Sequence, residues 1–226
     1  MVGQNLIKNI FTLLAVFLGG LFLFTAFEPV LLKAVSDSDD VLVSLDITGE
    51  ITISDASDIV LSALSGMTGG TSTSGAITWN VNTSAVGGYT LTIEKDHLLY
   101  TNGGGADKQI ADYTEASAGT PDYDWDAVGA GNEEFGFAPS AGADIVQKFK
   151  NSGGVCNQAA GTVSDLQCWS PIPTTATQET LATSASGTGE SGTDTSIKVR
   201  AEVGTGNYLE SGTYTSTITA TAATNE

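Results

Sequence analysis

Basic side chains are scarce in this sequence. Eight Lys and Arg stand against 26 Asp and Glu, for a formal net charge of −18. A chain this acidic repels phosphate backbones, and no basic patch interrupts it, so nucleic acid is excluded as a partner. Histidine is almost missing as well: His97 stands alone, and no G-x-S-x-G elbow accompanies it. That leaves no arrangement for nucleophilic catalysis. The three glycines at 103–105 are not followed by Lys-Ser/Thr, so they do not make a phosphate-binding loop. Acids are too numerous for spacing to single out a glycosidase pair. We therefore expect no enzymatic activity, no catalytic residue and no required cofactor.

Cysteine is limited to Cys156 and Cys168. A four-ligand cysteine metal site is ruled out, and outside the cytoplasm an even pair favours a disulfide. Long charged helical repeats are lacking too. Instead the chain is rich in Thr, Ser, Gly and Ala, and charged residues make up 15% of it.

The one long hydrophobic run is at residues 10–27, which carry no charge and follow Lys8. A positive end before an apolar run sends the remainder of the chain outward. Residues 1–34 therefore read as a cleaved signal peptide or as a retained anchor. The run is long for the first and nearly long enough for the second. Both readings predict an extracellular or cell-surface protein, touching membrane only through residues 10–27 if that segment is retained. Residues 35–40 form an acidic tether, and residues 41–226 read as a single domain.

Within that domain, apolar and polar residues alternate with period two, which puts one set on each face of a strand. Residues 41–53 alternate in one phase across Gly49, as one bent strand or two. A short strand is expected at 59–64 and a flexible loop at 66–75. Residues 76–96 read as a β-hairpin: Ile77, Trp79 and Val81, then Tyr89, Leu91 and Ile93, take one face. A second hairpin is expected at 196–222, with Ile197, Val199, Ala201 and Val203 in its first strand. Tyr-Thr-x-Thr-Ile occurs in both, at 89–93 and 214–218. Between them, residues 98–186 read as a loop-rich insertion. It holds a helical turn at 108–113, a strand at 133–138, a short amphipathic helix at 143–150 and a strand at 179–184. Short strands, glycine-rich turns and few helical periods predict an all-β, antiparallel sandwich of Ig-like or jelly-roll type, preceded by an apolar N-terminal helix.

The C-terminal GNYLESGTYTSTITATAATN resembles the closing strand of bacterial extracellular Ig-like and pilin-like domains, which end in a G-T-Y-x-x-T-I-T pattern. Together with the leader and TSGAITWNVNTSAVGGYTLTI, it is similar to secreted surface β-sandwich proteins, among them spore-coat-U-like and WxL-like domains. The cysteine framework of the first group and the paired W-x-L signature of the second are absent. The resemblance implies a surface location and structural or adhesive work, and it carries over no catalytic residue.

Three features in the insertion are candidate sites. Cys156 and Cys168 would close a short polar loop. Asp122, Asp124 and Asp126, with Glu133 at position twelve from Asp122, offer carboxylates at a spacing that hard cations use, so a structural Ca²⁺ is one reading. Ala127 stands where an EF-hand loop has Gly, and a solvated acidic loop is the other reading. Trp125 and Trp169 lie in loops and could stack on sugars, whereas Trp79 sits on an apolar strand face and belongs to the core. The leading expectation is a non-enzymatic surface protein: a subunit of a surface layer or filament, or an adhesin. Its partners would be copies of itself or components of the envelope or a host surface. Residues 41–47 could serve as a strand donated to a neighbour, or as the first strand of the domain's own sheet. The alternative is an extracellular glycan-binding module with a structural calcium site.

Overall fold

A computed structural model describes residues 9, 11–15, 42, 44–54, 56–105 and 107–225. The chain divides into two units, residues 1–46 and 47–226. In the first, Asn9 and residues 11–15 are helical and exposed, and residues 42 and 44–46 have no regular structure. The acidic tether and most of the apolar run lie outside the described residues. Among the described residues no helix is long and apolar enough to cross a membrane.

The second unit is all-β, with antiparallel sheets packed together as a β-sandwich. Its strands are β1 (Ile51–Ile53), β2 (Gly70–Thr73), β3 (Ile77–Thr83), β4 (Tyr89–Lys95), β5 (Leu99–Tyr100), β6 (Gln109–Ile110), β7 (Glu133–Gly142), β8 (Glu179–Ser184), β9 (Thr193–Val203) and β10 (Ile218–Thr224). One sheet runs β1-β3-β9-β2, with β7 on the other edge of β9; the second runs β10-β4-β8; β5 and β6 form a small ribbon.

The alternation correctly places the faces. Ile77, Trp79 and Val81 of β3, Tyr89, Leu91 and Ile93 of β4, and Ile197, Val199, Ala201 and Val203 of β9 are all buried in one core with Phe135 and Phe137. Removing such side chains from water contributes about 1.5–3 kcal/mol each. Lys95 continues the inward series of β4 and is itself fully buried.

The two hairpins, however, do not form. β3 pairs with β1 and β9, whereas β4 pairs with β10 and β8. Residues 84–88 are an arch that carries the chain from one sheet to the other. Gly88 is required there: its φ is +76°, and a Cβ would lie 2.2 Å from the Ser184 carbonyl oxygen. β9 and β10 likewise belong to different sheets. The two Tyr-Thr-x-Thr-Ile segments are not equivalent either. Tyr89 opens β4 and is fully buried, while Tyr214 precedes β10 and remains partly exposed.

Other expectations are corrected by long-range pairing. Residues 66–75 contain β2 rather than only a flexible loop, because β9 offers its edge to Gly70–Thr73. Residues 59–64 have no strand; Leu61 and Leu64 still pack on the core, at a spacing of three. Of the described residues in 41–53, only Ile51–Ile53 joins a sheet. Residues 108–113 are extended and not helical, since the Tyr113 N–H donates to the Phe135 carbonyl along β7. The helix expected at 143–150 shrinks to one 3-10 turn, Gln147–Phe149, because Val146 N–H donates to Leu181 O beside β8. The region 98–186 is also more than an insertion: it supplies β7 to one sheet and β8 to the other.

β2 and β3 lie along one edge of β9, out of register with each other by one residue, and the slip falls at residues 74–76. At this bulge the Ser74 side chain completes the ladder: the Val199 N–H donates to Ser74 Oγ at 3.0 Å, and the Ser74 N–H donates to Val199 O at 2.9 Å. Two positions earlier, Ser72 Oγ is buried with no partner. Ser74→Ala should therefore strip a buried donor of its acceptor and cost about 1–3 kcal/mol. Ser72→Ala should be neutral or stabilising. Urea unfolding of the two variants checks both.

Candidate functional site

β7 is buried on both faces. Phe135 and Phe137 point into the main core, while Ala138 belongs to a second cluster with Tyr113 and Trp169, against which Trp125 packs. Gly136 makes room for this layer: a Cβ there would lie 2.7 Å from Tyr113 Cβ and 3.0 Å from the Ser170 carbonyl oxygen. The layer is attached by backbone hydrogen bonds. Phe137 and Ser170 exchange N–H···O bonds at 2.9 Å in both directions, and Asp122 and Trp169 do the same at 3.0 and 2.8 Å. Sequence positions that looked separate, the acidic loop and the tryptophan after the second cysteine, are thus neighbouring rungs.

The side chains build an aromatic and acidic cluster on this frame. Trp125 sits 4.5 Å from Tyr113 and meets Trp169 edge-on at 5.0 Å, between ring centroids. The Arg200 guanidinium lies over the Trp125 ring at 4.7 Å. Trp125 Nε1 donates to Glu202, and Arg200 donates to the same carboxylate at 3.2 Å. Tyr113 Oη donates to Asp122 at 2.8 Å, and Asp122 also accepts the Ala116 N–H at 3.0 Å. Arg200 and Glu202 occupy polar positions of β9, on the face away from the main core.

Each sequence candidate can now be placed. Cys156 and Cys168 are joined in a disulfide, with Cα atoms 5.7 Å apart. Closing a loop of this length stabilises by about 3 kcal/mol in the chain-entropy model. The closed loop also fixes Trp169, the next residue, whose Nε1 donates to Leu166 O at 2.9 Å. Trp169 is only 1% exposed, and Trp125 retains partial exposure. Asp122 is engaged by Tyr113 and Ala116, and Glu133 accepts a hydrogen bond from Asn207. Asp124 and Asp126 are exposed. Among the described residues no group of three or more His, Cys, Asp or Glu side chains is arranged to hold a metal ion.

Tyr113, Arg200, Glu202 and Glu134 were not singled out by the sequence. One signal was available: Arg200 is the chain's only arginine and sits two residues from Glu202 in a strand. No protein-family model matches the chain, and no curated protein matches it.

Glu134 lies directly opposite Glu202 in the β7–β9 ladder. Burial pushes the Glu134 carboxyl above the usual range, and the nearby Glu202 and Asp126 charges add to the effect, against hydrogen bonds from Thr114. A carboxyl raised in the folded state binds more protons there than in the unfolded chain. Its contribution is therefore fully present below the ordinary carboxylate value and is lost as pH rises through the raised one. Glu134→Gln should flatten the fall in melting temperature across that interval and raise it relative to wild type at pH 7. Thermal melts of both proteins from pH 3 to about pH 7 would show this.

Proposed function

We propose that this is an exported, non-enzymatic cell-surface protein of Ig-like or jelly-roll type, acting as a subunit of a surface layer or filament by strand donation. The observation that carries this reading is the state of the alternating segment before β1. Leu45 and Ile47 of the alternating set are 83% and 84% exposed, outside any strand; its other members Val41 and Val43 lie outside the described residues. An alternating apolar segment without a sheet of its own is suited to adding to another sheet's edge.

A receiving edge is present. β10 ends the three-stranded sheet and, among the described residues, pairs only with β4. Ile218, Ala220 and Ala222 face the core from it but are only partly covered. A strand donated by a second copy would satisfy the open β10 backbone groups and cover these side chains. Deleting residues 36–47 should abolish polymers seen by electron microscopy while leaving the β circular-dichroism spectrum intact. Polymers from the deleted protein would rule out donation by this segment.

A second reading is an extracellular glycan-binding module with a structural calcium site recruited from Asp122, Asp124, Asp126 and Glu133, which requires Asp122 and Glu133 to give up their present partners Tyr113 and Asn207. The partly exposed Trp125 and the exposed Asp124 and Asp126 favour it. A ligand would have to compete with Arg200 for the Trp125 ring. Glycan-array binding that is lost on chelation, together with a Ca²⁺-dependent melting temperature, is its expected signature.

A further inference from the structure

Among the described residues Lys95 is a lysine with no exposure to solvent. It ends the inward-facing series Tyr89, Leu91, Ile93 of β4, and it is fully buried. Its Nζ is in direct contact with an Asp112 carboxylate oxygen and donates a second hydrogen bond to the Ile172 carbonyl at 2.6 Å. Asp112 belongs to the segment that runs beside β7 and is 35% exposed. The contact therefore links the β10-β4-β8 sheet to the layer carried by β7 in the other sheet.

Such a pair is costly as two ions. Taking an ammonium out of water carries a large desolvation penalty, which a single partner offsets only in part. Burial lowers the affinity of the Lys95 amine for its proton, while Asp112 acts in the opposite sense. Transfer of one proton from the amine to the carboxylate yields a neutral amine beside a neutral carboxyl group.

We propose that Lys95 and Asp112 are joined by an intramolecular amide bond between Nζ and Cγ. The amine lone pair attacks Cγ, a new N–C bond forms, and the bond from Cγ to one carboxyl oxygen breaks. That oxygen leaves as water with the carboxyl proton and one amine proton, so no oxidant or co-reactant is needed. The remaining N–H is the one that the Ile172 carbonyl accepts. Asp112 also lines a shallow cleft of about 450 Å³ with Tyr113, Glu115, Pro171 and Thr174, which gives the departing water a path to solvent.

Condensation in dilute solution is opposed by water. Holding the two groups in contact changes this, because well-oriented intramolecular reactions reach effective molarities of about 10⁵–10⁸ M. The bond would clamp the two sheets covalently at the end of β4, independently of the disulfide, which closes a loop within the outer layer.

The test is peptide mapping of the purified, reduced and denatured full chain after chymotrypsin digestion, with fragmentation of any branched peptide. The expected product is a branched peptide joining the Lys95 and Asp112 segments, lighter than their sum by one water. It should vanish in Lys95→Met and in Asp112→Ala. Asp112→Asn should restore a branched peptide of the same mass as wild type, because ammonia then leaves in place of water. Recovery of the two wild-type peptides unlinked, with the Lys95 amine open to acylation after denaturation, would overturn the proposal and leave a buried ion pair. The wild-type digest decides the matter even if a variant fails to fold.

Discussion

The structure depends on satisfying both backbone edges of β9. This eleven-residue strand outruns β3, which pairs only with residues 193–197. On one side it takes β3 over its first half and β2 over its last residues, with Ser74 closing the gap; on the other it takes β7 along almost its whole length. A buried N–H or carbonyl left unpaired costs as much as a lost hydrogen bond, so every segment able to pair with β9 is drawn to it. That requirement turns a Ser/Thr/Gly stretch into β2 and brings a strand out of the middle of the chain to serve as β7.

β7 then passes the same problem outward. Its second edge would be open if Ala111 and Tyr113 did not pair with Phe135, and Ser170 with Phe137. The covering segments bring Tyr113, Trp125 and Trp169 with them, and the disulfide holds the last of these in place. Here the scarcity of basic residues shows its structural side. Lys95, Lys108, Lys148, Lys198 and Arg200 are all engaged with acidic partners. The four lysine pairs each join segments far apart in the chain. Arg200 does so through the face of Trp125, while its ion pair with Glu202 stays within β9.

The two sheets are connected by arches. An arch and a hairpin share the same local sequence: two alternating strands separated by a short polar, glycine-containing loop. What differs is the partner. In a hairpin each strand supplies the other's hydrogen bonds, whereas in this arch Tyr89–Lys95 turns over the core and takes them from β10 and β8. The arch places Lys95 inside the sandwich, at the height where Asp112 approaches from the other sheet's covering layer.

What the sequence by itself determined was which face of each strand is buried, where β3, β4, β7, β8 and β9 fall, and that Cys156 and Cys168 pair. These are local or compositional facts: period-two alternation decides the face regardless of the partner, and two cysteines allow one intramolecular disulfide. Only the tertiary structure decided which strands pair, that residues 70–73 are a strand and 108–113 are not a helix, and that Arg200, Glu202, Glu134, Tyr113 and Trp125 meet. Each of these outcomes is set by backbone groups and side chains far apart in the chain, whose competition for partners leaves no trace in a local window. The same holds for Lys95. Its sequence position marks it as inward-facing, but only the fold shows that Asp112 lies within reach.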